Sequence, residues 1–200
     1  MDKQIIISIS REFGSGGHAI ADQIAKEIGL PLYDRSILED IANEKGIDKE
    51  YLEKFDERPK VPLVSRRVRG HSNSMEENLA EMQFEYLKKK ADNGESFVVV
   101  GRCAETILKD QKGLISIFIL GDRRDKISRV EQTYQLSEKE AVAKINRHDR
   151  KRKYYHNRYS QYRWGDSRSY DLCVNSSSLG IRGTAKMLMS YINTRLEAET

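Results

Sequence analysis

Hydrophobic positions at the start of the chain predict a strand followed by a helix. Residues Gln4–Ser10 form an almost wholly apolar, β-branched run of the kind that lies buried between two layers. A glycine turn follows at Gly14–Gly17, and Ile20, Ile24 and Ile28 then recur at helical spacing. A strand, a glycine loop and a helix in this order are typical of the opening of a nucleotide-binding α/β domain.

Three later apolar runs predict further buried strands, each followed by a helical pattern. The strands are Phe97–Val100, Leu114–Leu120 and Tyr170–Val174, and the helices are Cys103–Lys109, Asp122–Gln135 and Leu179–Arg195. Alternation of this kind builds a parallel sheet through crossover connections. The pattern therefore predicts an α/β fold, in which a parallel β-sheet is flanked by helices on both faces and carries helical insertions.

Residues 36–93 do not follow this alternation. They hold several helical stretches, of which Met75–Lys90 is the clearest, and a polar segment with prolines at Glu57–Ser74. The apolar stripe of the clearest helix consists of Met75, Leu79, Met82 and Tyr86. We expect this stripe to pack on the protein's own core; a contact in a homodimer is the alternative.

The second irregular region, Ser137–Gly165, opens with a capping box formed by Ser137 and Glu140. It leads into a basic, tyrosine-rich stretch in which residues 147–168 hold eight arginines and lysines against two aspartates. A second basic cluster lies at Arg66–Arg69. The net charge of +4 does not by itself indicate that the protein binds nucleic acid. The two basic clusters predict an anionic ligand, and a phosphate group fits this prediction as well as a polymer does.

Length and composition limit the class of protein. With 200 residues, 38% of them hydrophobic, the chain is long enough for one domain with a proper core and is not of disordered composition. No apolar run approaches the ~20 residues that span a bilayer, and the run after Gln4 is too short for a signal peptide. Cys103 and Cys173 have no metal-ligand spacing. We therefore expect a cytoplasmic protein without disulfides or membrane spans.

The glycine turn has the position of a phosphate-binding loop, in which closely spaced backbone amides and a helix N-terminus face an anion. It departs from the pattern G-x-x-x-x-G-K-[ST]: Arg11 stands at the first glycine, Gly17 at the lysine, and the hydroxyl residue is missing from His18-Ala19. Arg11 could supply the lost positive charge, since a guanidinium suits phosphate. A plain strand-to-helix turn, with His18 only a solvated residue of the first turn, stays open.

Other candidates follow from their places in the pattern. Arg102 comes directly after an apolar strand and Gly101, so it belongs at the carboxyl end of the sheet, where open α/β folds bind ligands. Asp34 could contact an acceptor or a metal, or could cap the helix that opens near Ser36. Asp149 and Arg152 are three residues apart on a predicted helix and share a face, which an ordinary surface ion pair would also explain.

Taken together, the motifs resemble those of the bacterial cytidylate kinase-like family. The matching stretches are Ile7–Gly17, Pro31–Asp34, Val100–Arg102, Asp149–Arg152 with Tyr154-Tyr155, and Trp164–Asp166 leading into Tyr170–Leu172. The resemblance implies a single P-loop kinase-like domain of the nucleoside monophosphate kinase type over residues 1–200. It also implies a helical acceptor-binding insertion at 36–93, a lid-like basic helical region at 122–165, and transfer of the ATP γ-phosphoryl to CMP or dCMP.

The resemblance and the residue patterns together imply a role for each candidate residue. The expected catalytic residues are Arg11, Arg102 and Arg152. The expected ATP phosphate site is Gly14, Ser15, Gly16, Gly17 and His18. The expected acceptor site is Asp34, Arg102, Arg147, Asp149 and Arg152, with Asp149 and Arg152 resembling the pair that reads cytosine and phosphate. ATP is the expected donor with Mg²⁺, whose ligands the sequence leaves unassigned.

Three function classes follow. The favoured one is a nucleoside monophosphate kinase that binds ATP and CMP or dCMP. The missing lysine and hydroxyl favour instead a nucleotide-binding pseudokinase or regulatory protein. Aromatic residues among the basic ones at 154–164 suggest a nucleic-acid-binding module, which the glycine loop disfavours; packing of those aromatics on the core is the simpler interpretation.

Overall fold

A five-stranded parallel sheet forms the centre of the protein. The computed structural model describes residues 4–54, 67–68, 71–72 and 74–198. The seven strands of these residues are β1 (Ile6–Arg11), β2 (Leu32–Tyr33), β3 (Arg67–Val68), β4 (His71–Ser72), β5 (Phe97–Val100), β6 (Leu114–Leu120) and β7 (Leu172–Asn175). All pairs in the large sheet are parallel, in the order β2-β5-β1-β6-β7, whereas β3 and β4 form a separate antiparallel pair. The predicted α/β fold with a parallel sheet is thereby confirmed.

Helices cover both faces of this sheet. They are α1 (Gly17–Ile28), α2 (Ile37–Lys45), α3 (Lys49–Glu53), α4 (Met75–Asp92), α5 (Ala104–Ile107), α6 (Arg123–Tyr134), α7 (Glu138–Tyr159) and α8 (Gly180–Ala198), with a 3₁₀ turn at Ser167–Ser169. Because strand side chains alternate, Ile7 and Ile9 of β1 pack towards α1 and α8, while Ile6 packs on the opposite face towards α2 and α4. Both faces are apolar, which explains why the strands read as continuous hydrophobic runs.

The clearest sequence predictions agree closely with these elements. Strands at Phe97–Val100 and Leu114–Leu120 have the predicted bounds, and the helix predicted at Met75–Lys90 extends to Asp92. On its apolar stripe, Leu79 is buried, and Met82 and Tyr86 pack beside it on the core under α2 and β5. The stripe thus packs on the protein's own core, as expected. The predicted proline segment Glu57–Ser74 and basic cluster Arg66–Arg69 lie largely outside the described residues.

Residues 122–165, which the resemblance predicts to be lid-like, contain α6 and α7, and these two helices pack on each other. Helix α7 begins with the predicted capping box: Glu140 accepts hydrogen bonds from the Ser137 amide at 2.9 Å and from the Ser137 hydroxyl at 2.6 Å. The helix then runs for 22 residues and contacts Arg11 at the end of β1 and Glu105 of α5. In the described ranges, no helix combines the length and apolarity needed to cross a bilayer.

Candidate functional site

The glycine loop joins β1 to α1 at the carboxyl edge of the sheet. Gly14 and Gly16 have φ of 82° and 79°, a left-handed conformation that glycine adopts without steric cost. Ser15 between them is fully buried; its hydroxyl donates to the Glu12 carbonyl at 2.9 Å and accepts from the Gly17 amide at 3.3 Å. Ser15 therefore shapes the loop from within and does not present its side chain to a ligand.

The N-terminus of α1 is open to an anion. Its capping residue is Gly16, which has no side chain to bond the free amides, and no acidic residue occupies the first turn. The Gly17 amide donates to the Ser15 hydroxyl, but the amides of His18 and Ala19 have no carbonyl four residues back within the helix, so they can donate to a ligand. The partial positive charge of the helix end adds to this preference for an anion.

A cleft of about 600 Å³, which we call the donor cleft, opens directly over this loop. Its floor is formed by Gly14, Gly16, Gly17 and His18, and its walls come from α6, α7 and α8. Three arginines line it: Arg11 from β1, Arg129 from α6 and Arg152 from α7. Arg129 lies over the loop and donates a hydrogen bond to the Gly14 carbonyl. The sequence reasoning missed Arg129, because one arginine among many on a polar helix carries no local signal.

Arg11 occupies the space that a lysine at position 17 would need. A Cβ built on Gly17 would lie 2.6 Å from the Arg11 Cβ and 3.0 Å from its Cγ. The same side chain continues to Gly101, where its guanidinium fills the place of a missing Cβ. The Arg11 side chain thus runs from the glycine loop to the end of β5. Its Cβ and Cγ lie at Gly17, and its guanidinium lies at Gly101. Glycine at position 17, where the standard pattern has a lysine, leaves room for the Arg11 side chain.

Three charged residues, which we call the loop anchor, lie behind the glycine loop. The Lys126 ammonium contacts the Glu12 carboxylate at 2.9 Å and the Asp149 carboxylate at 3.4 Å, and its side chain is only 10% exposed. Asp149 accepts a hydrogen bond from the Phe13 amide at 2.6 Å, and Glu12 accepts one from the Gly121 amide at 3.2 Å. Burial raises the pKa of Asp149 and outweighs the opposing Phe13 amide and Lys126. Sequence reasoning missed Glu12 and Lys126 as site residues.

Phe13 is held on the other side by aromatic and cationic contacts. Its ring stacks on His148 of α7 at a centroid distance of 4.2 Å, and the Arg152 guanidinium lies 5.5 Å from the ring centre. Burial, followed by the positive charge of Arg152 and other nearby cations, lowers the pKa of His148 from 6.5 to about 4. His148 is therefore neutral at pH 7 and does not add to the cations of the cleft.

A second candidate subsite lies beside the first, at the end of β5. Gly101, Arg102 and Cys103 all have positive φ, at 79°, 62° and 52°. Such conformations of residues other than glycine cost about 1–3 kcal/mol and concentrate at functional sites. Arg102 is only 3% exposed and donates to the Gln83 amide oxygen at 3.0 Å.

The turn holding Arg102 borders a small cavity of about 20 Å³, which we call the arginine cavity. It brings together the three predicted catalytic arginines, with Ser10 and His156 among its other walls. The arginines are Arg11, Arg102 and Arg152. Arg152 also donates to the Arg11 carbonyl at 3.1 Å. The arginine cavity shares Arg11 and Arg152 with the donor cleft, so the two subsites adjoin.

A buried acid–imidazole pair supports the wall of the arginine cavity. Glu105 of α5 and His156 of α7 are 2.8 Å apart, with side chains 1% and 4% exposed. Ser10 of β1 donates to the other Glu105 oxygen at 3.2 Å. The pair therefore ties α7 to the sheet next to Arg102. No sequence motif pointed to Glu105 or His156, since they are 51 residues apart.

Three residues of the expected acceptor site do not line the arginine cavity. Asp34 contacts His18 at 2.7 Å and accepts from the Ser36 amide at 2.8 Å, so it joins α1 to α2. Burial opposes ionisation of Asp34, but these hydrogen bonds outweigh it and lower its pKa. Arg147 is exposed on α7 and lines neither the donor cleft nor the arginine cavity. Asp149 contacts the glycine loop in the loop anchor.

The tyrosines and the tryptophan of the basic stretch divide into two groups. Tyr155 and Tyr159 pack with Phe84 of α4, and Trp164 packs edge-on against Phe118. These three agree with the predicted packing on the core. The other two, Tyr154 and Tyr162, are 42% and 49% exposed and do not.

Comparison with known proteins defines the class and then the family. The fold is that of P-loop kinases: structures of shikimate kinase from Bacteroides thetaiotaomicron (TM-score 0.55, 12% identity, 94% of this chain and 98% of that one) and gluconokinase from Sinorhizobium meliloti 1021 (0.52, 13%, 100% of both) are similar to it. The model of the cytidylate kinase-like family matches residues 6–178, and the chain belongs to that family.

One solved structure is also similar in sequence. It is an uncharacterized protein from Eubacterium ventriosum ATCC 27560, which is 37% identical, has a TM-score of 0.76 and is covered over 99% of its length by 95% of this chain. No curated protein matches the chain significantly. The family model that matches residues 6–178 confirms the resemblance to the cytidylate kinase-like family.

Proposed function

We propose that the protein is a nucleotide kinase that transfers the γ-phosphoryl group of ATP to a pyrimidine nucleoside monophosphate, CMP or dCMP. The observation that supports this most is the adjacency of two anion-binding subsites, the donor cleft and the arginine cavity, that share Arg11 and Arg152. Transfer requires a donor and an acceptor phosphate to meet in line with their charge neutralised. Membership of the cytidylate kinase-like family supports the choice of acceptor.

In this proposal the donor cleft holds ATP. The open amides at the start of α1 receive its phosphates, and Arg129 and Arg11 provide the positive charge that Gly17 does not. The cleft volume of about 600 Å³ lies within the range of typical ligand pockets. Guanidinium groups suit phosphate oxygens because they offer planar, forked donors.

The acceptor monophosphate binds at Arg102 and Arg152. One of its oxygens attacks the γ-phosphorus of ATP, a new P–O bond forms, the bond to the β,γ-bridging oxygen breaks, and ADP departs with that electron pair. The arginines stabilise the charge on the transferred group, and the enclosing walls exclude water that would otherwise hydrolyse ATP.

Mg²⁺ would neutralise phosphate charge when bound. Within the described part of the chain, no group of three or more His, Cys, Asp or Glu side chains is placed to hold a metal ion. The residues present do not form a protein cage for Mg²⁺, so the ion would rely on the nucleotide phosphates and water, as is common for this cation. We therefore assign no protein ligand to it.

A second candidate function is nucleotide binding without transfer. It is favoured by the Arg11 stem, which takes the place of the missing lysine at 2.6 Å from a Gly17 Cβ. Loss of one well-placed donor of positive charge can lower a rate by roughly 10²–10³. Such a protein would bind ATP but form no product.

A coupled assay distinguishes these functions. We would measure ADP formation with Mg-ATP and each of CMP, dCMP, UMP, AMP and GMP, adding shikimate and gluconate because the similar solved structures act on them. Turnover with CMP or dCMP that Arg102→Ala abolishes supports the kinase. Saturable ATP binding without any product supports the second candidate. Turnover only with shikimate or gluconate overturns the proposed acceptor, and absence of both binding and turnover overturns both candidates.

A further inference from the structure

Asp149 lies in the part of α7 that the sequence linked to the acceptor, yet its contacts are with the glycine loop. One carboxylate oxygen accepts from the Phe13 amide at 2.6 Å, although the two residues are 136 positions apart. The other oxygen lies 3.4 Å from the Lys126 ammonium. Hydrogen bonds between a backbone amide and an ionised carboxylate are among the stronger ones in proteins.

Lys126 connects this contact to Glu12, the residue before Phe13. Its ammonium is also 2.9 Å from the Glu12 carboxylate, which in turn accepts from the Gly121 amide after β6. The backbone and Cβ of Lys126 fill the space beside Gly14, where an added Cβ would lie 3.0–3.2 Å from them. Two carboxylates neutralise Lys126, and its side chain lies behind the loop. It therefore acts on the loop and not on a phosphate in the donor cleft.

We propose that Asp149 is a positioning residue for the glycine loop, which it holds in the donor-binding conformation through the Phe13 amide and Lys126. The residues at i and i+3 on α7 then have different roles. Asp149 fixes the loop, and Arg152, which lines both subsites, serves the phosphates. The inference rests on the proposed function, because the loop must bind a donor for its position to matter.

This arrangement couples the lid-like region to the donor cleft. Asp149 and Arg152 belong to α7, so both leave the loop if α7 separates from it. Docking of α7 thus adds to the contacts by which Lys126 and Arg129 of α6 hold the loop.

The test compares Asp149→Ala with Glu138→Ala, an exposed acidic residue at the start of the same helix. Hydrogen exchange of the Phe13 amide is measured in the nucleotide-free protein, and the dissociation constants of Mg-ADP, CMP and UMP are measured by calorimetry. For Asp149→Ala we expect Phe13 to exchange on the order of tenfold faster and Mg-ADP to bind roughly tenfold more weakly, the size of a lost charged hydrogen bond. The ratio of the CMP and UMP constants is expected to stay as in the wild type, and Glu138→Ala is expected to change none of these.

A second variant, Asp149→Asn, tests the same contact if Asp149→Ala fails to fold. Its amide oxygen can still accept from Phe13 while the charge facing Lys126 is lost, so exchange is expected to rise less than in Asp149→Ala. The proposal is overturned if Phe13 exchange and Mg-ADP affinity are unchanged in both variants, or if either variant alters the CMP to UMP ratio instead. Should the wild type bind no Mg-ADP, the proposed function fails, while the exchange experiment still decides whether Asp149 holds the loop.

Discussion

The donor cleft and the arginine cavity adjoin each other and share two arginines, yet they are built in opposite ways. The donor cleft measures about 600 Å³ and its floor is backbone, held from behind by the loop anchor. The arginine cavity measures about 20 Å³ and its walls are side chains that already contact one another, such as Arg102 with Gln83. In the proposed function, the donor side would therefore be preformed, whereas an acceptor phosphate would have to displace side chains to enter.

The largest effect is expected at the arginine cavity, whose walls are side chains. Glu105→Ala leaves His156 buried without its carboxylate partner, and a buried polar group left without a partner costs about 1–3 kcal/mol of the free energy of unfolding. Urea denaturation measures the loss. Glu131→Ala on α6, which is less buried, serves as the control. A loss below about 1 kcal/mol would show that the pair does not support this wall.

Gly17→Lys addresses the preformed side. Restoring the missing lysine is expected to weaken Mg-ADP binding roughly hundredfold, since the new Cβ meets the Arg11 stem and the loop must shift. The double variant Arg11→Gly with Gly17→Lys removes that stem and is expected to recover most of the affinity. Calorimetry measures both variants. If Gly17→Lys alone binds as well as the wild type, Arg11 does not dictate the glycine.

Arg129→Gln tests whether the donor cleft can be weakened without affecting the arginine cavity. Because Arg129 lines only the first of these subsites, Mg-ADP affinity is expected to fall roughly tenfold while CMP affinity is unchanged. Arg124→Gln, an exposed position on the same helix, is the matched control. Equal losses for both nucleotides would mean that the two subsites are not separable in this way.

The fourth prediction concerns the pH dependence of stability. The pKa of His148 is about 4 in the folded protein and 6.5 ordinarily, so the unfolded chain takes up this proton first as pH falls. Stability from this group is present above pH 6.5 and is lost progressively towards pH 4. In His148→Phe, which can keep the stacking on Phe13, the urea midpoint is expected to drop less between pH 7 and pH 5. Parallel pH profiles for the two proteins would contradict the assignment.

The comparison also shows which residues of the site could be predicted from the sequence. The glycine loop, Arg102 and Arg152 could be predicted to line these subsites, because each lies at the end of a predicted strand or on a recognisable motif. Arg129, Lys126 and Glu105 were missed because they are ordinary charged residues on polar helices, and only their neighbours in space distinguish them. Asp149 was found for its motif, but its neighbours place it at a different subsite from the expected one.

Local patterns determined the strands, the main helices and the glycine turn, because buried parallel strands must be continuously apolar and amphipathic helices must repeat with the helical period. They also determined the family, through motifs spread over most of the chain. Only the tertiary structure decided that the Arg11 side chain spans from Gly17 to Gly101 and that Asp149 bonds the Phe13 amide. The Arg11–Gly101 and Asp149–Phe13 contacts join residues 90 and 136 positions apart, and no local pattern carries that distance.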